Sequence, residues 1–162
     1  MRDILIRELN KDSDYISIKE ISSQAWEPIY LHRKNIMDKD IFHSLYKDGH
    51  NNKANSLEKW CRENKNNVRL AEKDGKVIGF VTWEKFNNET IELSNNAVLP
   101  SFHGKGIGSQ LYQWFFDFAK KKGFKYCFVF TGNDPAHIPA RKSYEKNGFS
   151  NPVENVRFFK TL

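Results

Sequence analysis

Apolar residues recur along the chain with two periodicities, one typical of strands and one typical of helices. Alternating or continuous apolar runs, typical of strands, cover residues 4–9, 68–71, 77–83, 90–99, 126–130 and 156–160. Helical spacing covers residues 13–28, 38–63 with a break near Gly49, 107–122 and 138–147. Asp74-Gly75 and Asn87-Asn88 between strand-like runs predict hairpins. The order of elements predicts an α/β fold with a sheet of mixed direction.

Particular residues mark the ends of several predicted elements. Ser13 is predicted to cap the first helix, and Pro28 is predicted to end it. Gly123 and Gly148 follow two later helical patterns and are expected to stop them. The run at 126–130 is almost entirely apolar, which predicts a strand buried on both faces of the sheet.

Length and composition favour one folded domain over residues 1–162, because 39% hydrophobic and 14% aromatic residues are ordinary values for globular proteins. The formal charge of +6 suits an anionic ligand, but it is spread along the chain without a run of five basic residues. We therefore expect no nucleic-acid partner. Cys61 and Cys127 lack the CxxC spacing of zinc and redox sites, and no apolar signal or membrane span is evident, so a cytoplasmic protein is expected.

A glycine-rich loop lies between the strand that ends near Pro100 and the helix that begins near Ile107. It contains His103, Gly104, Lys105, Gly106, Ile107 and Gly108. Glycines at a helix start let several amide N–H groups converge on one anion such as a pyrophosphate. The P-loop spacing GxxxxGK[ST] is absent, and Ser109 breaks the dinucleotide spacing GxGxxG. A turn that needs glycine only for its shape is the alternative.

Residues 97–108 read Ala-Val-Leu-Pro-Ser-Phe-His-Gly-Lys-Gly-Ile-Gly. This run resembles the acetyl-CoA motif of the GCN5-related N-acetyltransferase (GNAT) superfamily, in which x-V-x-P leads into [QR]-x-x-G-x-[GA]; His103 departs from the usual Gln or Arg. The resemblance implies a largely antiparallel sheet of about six to seven strands with helices on both faces. It also implies acetyl-CoA as the acetyl donor, with no metal.

Residues 137–149 resemble the second signature of that superfamily, N-x-x-A-x-x-x-Y-x-x-x-G-F. The resemblance implies that Tyr144 is the general acid that protonates the departing sulfur, and that a bulge in the strand at 96–98 frees the Val98 N–H to polarise the thioester carbonyl. An amphipathic core tyrosine is the alternative. The cofactor-binding set that we expect is Asn96, Ala97, Val98, His103, Gly104, Lys105, Gly106, Ile107, Gly108, Ser109, His137, Ala140 and Arg141.

A base must take a proton from the acceptor amine before it attacks. Glu92 lies on the strand that leads into the loop, and alternation places Glu92, Ser94 and Asn96 on one face if no bulge intervenes. An exposed strand carboxylate is the alternative. For the acceptor site the residues expected are Trp26, Tyr30 and Asn95, although the two aromatic side chains would equally suit a core.

These features predict an enzyme that moves an acetyl group from acetyl-CoA to a primary amine of a small molecule, by direct attack in a ternary complex. The alternatives are an acetyltransferase for protein or peptide amines and a non-catalytic module that binds acyl-CoA. Neither cysteine is set as a nucleophile, so no covalent intermediate is expected. Little chain follows Gly148, which leaves a sheet edge that a homodimer could cover, although the sequence does not fix the oligomeric state.

Overall fold

The computed structural model describes residues 4–47 and 49–162. Residues 1–3 and 48, which the predicted domain and the second helical region include, lie outside the described residues. The strands form one five-stranded sheet in the order β1-β2-β3-β4-β5. Neighbouring strands are antiparallel except for β4 and β5, which are parallel. The strands are β1 (Leu5–Arg7), β2 (Val68–Lys73), β3 (Lys76–Lys85), β4 (Thr90–Val98) and β5 (Tyr126–Val129).

Helices cover both faces of the sheet. Thr82 and Trp83 are consecutive in β3 and therefore face opposite sides. Trp83 packs against Trp114 of α4, whereas Thr82 bonds to Asn95, which in turn contacts Lys53 of α3. The predicted mixed sheet with helices on both faces is thus confirmed. The helices are α1 (Asp12–Ile36), α2 (Lys39–Tyr46), α3 (His50–Glu63), α4 (Ile107–Lys121) and α5 (Ile138–Lys146).

Within residues 4–47 and 49–162, none of the helices is long and apolar enough to cross a bilayer.

The hydrophobic core lies between the sheet and its helices. Phe80 and Phe115 are its largest fully buried side chains, and Ile18 and Ile21 of α1 pack into the same cluster. Burial of each such side chain contributes about 1.5–3 kcal/mol, so these positions hold the helices against the sheet.

Over residues 4–47 and 49–162 the sheet has five strands, fewer than the six to seven predicted. Residues 156–160 were predicted to form a closing strand, which is wrong: they have no regular structure, and Val156 and Phe158 are 81% and 90% exposed. β5 is consequently an edge strand in the described part of the chain. The prediction that 126–130 is buried on both faces is wrong for the same reason, since Tyr126 and Phe130 are 63% and 66% exposed.

The first helix starts and ends differently from the prediction. Lys11, not Ser13, occupies the N-cap position, and the side chain of Asp14 accepts hydrogen bonds from the Asn10 and Lys11 amides. The helix continues through Pro28 to Ile36. Packing beyond the proline stabilises the extra turns, because Tyr30 contacts Tyr46 of α2 with ring centroids 5.4 Å apart.

A buried ion cluster joins β1 to α1 and β2. Arg7 donates two hydrogen bonds to the Asp14 carboxylate, at 2.7 and 2.8 Å, and its Nε donates to Glu72 Oε2 at 2.7 Å. The Asp14 side chain is fully buried. Burial alone would raise the pKa of Asp14, but the hydrogen bonds from Arg7 and from the Asn10 amide lower it below its ordinary value.

We predict that Asp14→Asn lowers the free energy of unfolding at pH 7 by about 3 kcal/mol, because it leaves Arg7 buried without its main partner. The folded-state pKa of Asp14 is lowered. Its stabilisation is therefore complete above the unfolded value of about 3.9 and is lost as the pH falls through the folded value. Urea titrations should show the difference between wild type and variant narrowing below about pH 4. Asp12→Asn, at a 94% exposed side chain, is the control, and an equal effect of both variants would contradict this account.

Candidate active site

The glycine loop has the backbone conformation that its sequence predicts. Gly104 and Gly106 have φ values of +75° and +76°, a region that other residues adopt only with strain. A Cβ at either position would meet no atom within 4 Å. Glycine is therefore required here for backbone geometry and not for space, and Gly106 is the N-cap of α4.

In the described part of the chain, the backbone N–H groups of residues 104–109 donate to no protein acceptor. They lie at the N-terminus of the 15-residue helix α4, where the helix dipole adds positive potential. Lys105 Nζ donates to the Ser101 carbonyl at 3.0 Å. The arrangement suits a multiply charged anion.

Strand β4 contains a bulge opposite Thr82. Val81 pairs with Asn96 and Trp83 pairs with Leu93, so Ser94 and Asn95 together face Thr82. The Thr82 hydroxyl accepts hydrogen bonds from the Asn95 backbone N at 2.9 Å and from its Nδ2 at 3.2 Å. A bulge was predicted at 96–98, and it occurs one to two residues earlier.

The bulge changes which side chains share a face. Glu84, two residues after Thr82, lies on the α3 side of the sheet, and Glu92 is its cross-strand partner. Asn96 bonds to Tyr112 of α4 on the other side. The alternation that put Glu92, Ser94 and Asn96 on one face was conditional on an unbroken strand. The bulge invalidates it for Asn96.

β4 and β5 separate at the same point. They pair only from Thr90 to Leu93, which leaves the later part of β4 without a neighbour on that side. Leu99 N donates to Ile78 O of β3 at 2.8 Å. Because antiparallel hydrogen bonding alternates, the Val98 N–H points away from β3 into the opening. The Val98 carbonyl accepts from His103 Nε2 at 2.8 Å, so this histidine ties the loop to the strand.

Tyr144 lies on the α4 side of this opening in a cluster of three polar side chains. Tyr112 Oη donates to Asn96 Oδ1 at 2.7 Å, and Asn96 Nδ2 donates to Tyr144 Oη at 3.0 Å. Burial raises the pKa of both phenols above their ordinary value, which keeps them protonated at neutral pH. Sequence reasoning missed Tyr112. Its signal is a hydroxyl at helical spacing from the buried Phe115 and Ala119.

The segment before α5 is held by its own polar groups. His137 Nδ1 lies 2.7 Å from Asp134 Oδ2, and Arg141 Nη1 donates to the Gly132 and Asp134 carbonyls at 2.8 and 3.0 Å. A Cβ at Gly132 would lie 2.4 Å from His137 Nδ1, so a larger residue there would displace the imidazole from this position. A Cβ at Gly108 would lie 4.0 Å from Ser143 Oγ, which shows how closely the glycine loop approaches α5. Ala140, which lies between His137 and Ser143 in the sequence, is half-buried.

Glu92 occupies a partly apolar position on the α3 side. Its cross-strand partners are Glu84 on β3 and Phe128 on β5, and Phe128 packs edge-on against Phe86 with ring centroids 5.2 Å apart. Burial, followed by repulsion from the Glu84 carboxylate, raises the pKa of Glu92 above its ordinary value. This glutamate is thereby a stronger base than an exposed one.

Two of the three predicted acceptor residues meet through a residue that sequence reasoning missed. Lys53 Nζ donates to Asn95 Oδ1 at 2.7 Å and lies 5.5 Å from the Trp26 ring centroid. Tyr30 instead belongs to a separate cluster with Tyr46, where burial raises its pKa. A lysine at helical spacing from two buried positions was the available signal.

Sequence comparison decides the family. A sequence model of the acetyltransferase (GNAT) family matches residues 24–149, which is most of the chain. The chain belongs to this family. The resemblance inferred from the two signatures is therefore confirmed. An uncharacterised N-acetyltransferase of Archaeoglobus fulgidus is 29% identical over 101 residues, covering 58% of this chain and 67% of the relative.

Solved structures share the GNAT fold with this chain. A protein from Pyrococcus horikoshii OT3 has a TM-score of 0.73 at 20% identity, covering 95% of this chain and 93% of its own. The PaiA N-acetyltransferase of Thermoplasma acidophilum, solved with coenzyme A, has a TM-score of 0.67 at 22% identity, covering 92% and 91%. The aminoglycoside N-acetyltransferase AAC(6')-Iy, also solved with coenzyme A, has a TM-score of 0.60 at 20% identity, covering 98% and 95%.

Over the residues that the structure describes, no group of three or more His, Cys, Asp or Glu side chains could hold a metal ion. The two free cysteines are in core positions, with Cys61 buried and Cys127 half-buried. Burial raises the pKa of Cys61 to about 12, so it is a protonated thiol at neutral pH.

Proposed function

We propose that this GNAT-family chain transfers an acetyl group from acetyl-CoA to a primary amine of a small molecule, by direct attack in a ternary complex, with residues 1–162 acting as one cytoplasmic catalytic domain. The observation that carries the proposal is the set of free amides at 104–109 beside the opening between β4 and β5. PaiA and AAC(6')-Iy, which share the fold, were solved with coenzyme A.

Coenzyme A fits the backbone N–H groups that have no acceptor among the residues described by the structure. The amides of 104–109 would hold its pyrophosphate. The Val98 N–H would donate a hydrogen bond to the thioester carbonyl oxygen in the opening. When bound, acetyl-CoA supplies an acetyl thioester. The rest of the proposed binding surface is formed by Asn96, Ala97, His103, His137, Ala140 and Arg141.

The cluster around Asn96 leaves the Tyr144 proton available. The amide of Asn96 uses its oxygen to accept from Tyr112 and its nitrogen to donate to Tyr144. Tyr144 Oη accepts from Asn96 Nδ2 at 3.0 Å, and it can donate to Asn96 Oδ1 only over 3.4 Å. Because this second bond is long and weak, the Tyr144 hydrogen can turn toward the opening. A phenol held in this way acts as the general acid for the departing thiolate sulfur.

Glu92 is the proposed base. Its raised pKa brings it closer to neutral pH, where a carboxylate accepts a proton from an ammonium group most effectively. Glu92 and Asn96 face opposite sides of β4, so the base and the Asn96-Tyr144 pair lie on opposite sides of the strand. In the proposed reaction the amine is deprotonated on one side of β4, and the thiolate is protonated on the other.

We expect Tyr144→Phe to retain affinity for coenzyme A and to reduce turnover at least about tenfold, because the variant keeps the ring and loses the acid. Calorimetry with coenzyme A and release of free thiol from acetyl-CoA in the presence of an amine panel measure the two quantities. Tyr126→Phe, on the exposed edge strand, is the matched control. Full turnover by Tyr144→Phe would remove this residue from the mechanism.

Gly106→Ala is expected to weaken coenzyme A binding about tenfold or more, because an alanine relieves its strain by turning the loop amides away from a common point. Gly123→Ala carries the same backbone strain, since Gly123 has a φ of +87°, but it lies at the other end of α4. Calorimetry on both variants separates the two effects. If both lose affinity equally, or if the wild type does not bind coenzyme A, the proposed cofactor site is wrong.

A pH profile tests Glu92. A base works when deprotonated, so kcat/KM should rise with pH through the raised pKa of Glu92, and Glu92→Gln should lose activity about a hundredfold together with this limb. Glu84→Gln should keep activity and shift the limb to lower pH, because Glu84 helps to raise the pKa of Glu92. If the pH dependence of kcat/KM is unchanged in both variants, another group is the base.

The alternative of a non-catalytic module has its own outcome. Binding of coenzyme A without acetylation of any free or peptide amine would favour it.

A further inference from the structure

Lys53 is a cation in an unusual place. It belongs to the inward stripe of α3 that continues through the buried residues Leu57 and Cys61, each one turn further along the helix. Its ammonium group donates to one neutral amide oxygen, Asn95 Oδ1, and lies near the Trp26 ring. In the described part of the chain no carboxylate lies within ion-pair distance of Lys53 Nζ.

A half-buried ammonium without a counter-ion is energetically unfavourable. Burial lowers the pKa of Lys53 below its ordinary value, because the charged ammonium loses hydration. The contact with the Trp26 ring offsets part of this cost. If the role of this side chain were only to bond Asn95, a neutral glutamine would serve without the penalty. A charge without a carboxylate partner among residues 4–47 and 49–162 fits an anionic partner from outside the chain.

The surroundings of Lys53 show where that partner would lie. Asn95 and Glu92 are three residues apart on β4, a separation of about 10 Å, and both are on the α3 side of the sheet. One end of this face therefore carries the carboxylates of Glu84 and Glu92, and the other end carries an ammonium. A face with separated charges of both signs complements a molecule that itself carries an amine and an anion.

We propose that Lys53 binds a carboxylate of the acceptor, so that the enzyme acetylates amines that carry a carboxylate, such as amino acids, in preference to plain amines and polyamines. The inference rests on the proposed function and names its substrate class. Lys53 is a specificity-determining residue in this view. Asn95 and Trp26 position its ammonium group beside the opening where the thioester would lie, and Glu92 receives the proton of the amine through water.

Acceptor pairs that differ only in a carboxylate test this proposal. The pairs are L-phenylalanine with phenethylamine, L-lysine with cadaverine, and 4-aminobutyrate with propylamine, each assayed by release of free thiol from acetyl-CoA. For at least one pair, kcat/KM of the wild type should favour the carboxylate member by about tenfold or more, as expected for a charge-assisted hydrogen bond. Lys53→Met should reduce that preference about tenfold, and Lys53→Arg should retain most of it.

Lys59→Met is the matched control, because Lys59 is an exposed lysine of the same helix and should leave the preference unchanged. Thermal melting provides a readout that separates binding from a structural role. Lys53→Met removes a costly charge and should melt at the wild-type temperature or above it, whereas replacement of a purely structural lysine would lower the melting temperature.

The outcomes separate the two proposals. If the protein does not bind coenzyme A in calorimetry, the proposed function fails and the inference falls with it. If amines are acetylated without a preference for a carboxylate, or if Lys53→Met reduces both members of a pair equally, only the role of Lys53 is overturned. Binding of coenzyme A without acetylation of any carboxylate-bearing acceptor also overturns it.

Discussion

The arrangement of this site depends on one hydroxyl group. Thr82 is fully buried, and its Oγ1 accepts both the backbone and the side-chain N–H of Asn95. These two bonds compensate the strand for its extra residue and fix the bulge in β4. From the bulge onward β4 is unpaired on the β5 side and presents its side chains on reversed faces. A single buried acceptor thus creates both the opening and the division of the polar groups between the two faces.

The two faces then have different electrostatic character. On the α4 side the groups are neutral hydrogen-bonding side chains, and burial keeps the two phenols protonated. On the α3 side they are charged, with two carboxylates beside each other on β3 and β4 and the Lys53 ammonium of α3 beside Asn95. One strand separates the neutral groups from the charged groups. The pKa values of the phenols and of the charged side chains can therefore be shifted independently of each other.

Local features could be predicted from the sequence, whereas features that depend on distant partners could not. The loop conformation at Gly104 and Gly106 and the bounds of α4 follow from φ requirements and helical spacing within about twenty residues. The strand predicted at 156–160 needed a neighbour that β5 does not provide. The end of α1 depended on Tyr30 meeting Tyr46, and the position of Glu92 relative to Asn96 depended on a bulge whose location Thr82 sets from another strand. Lys53 became visible only when α3 was placed against β4.

The direction of the hydrogen bonds through Asn96 gives this position a chemical requirement that size alone does not convey. An aspartate has nearly the same shape, but its carboxylate has no hydrogen to give. Both tyrosines would then point their protons at it, and the phenol of Tyr144 would be turned inward. With asparagine, the shortest bonds run from Tyr112 to the amide oxygen at 2.7 Å and from the amide nitrogen to Tyr144 at 3.0 Å, while Tyr144 reaches that oxygen only at 3.4 Å.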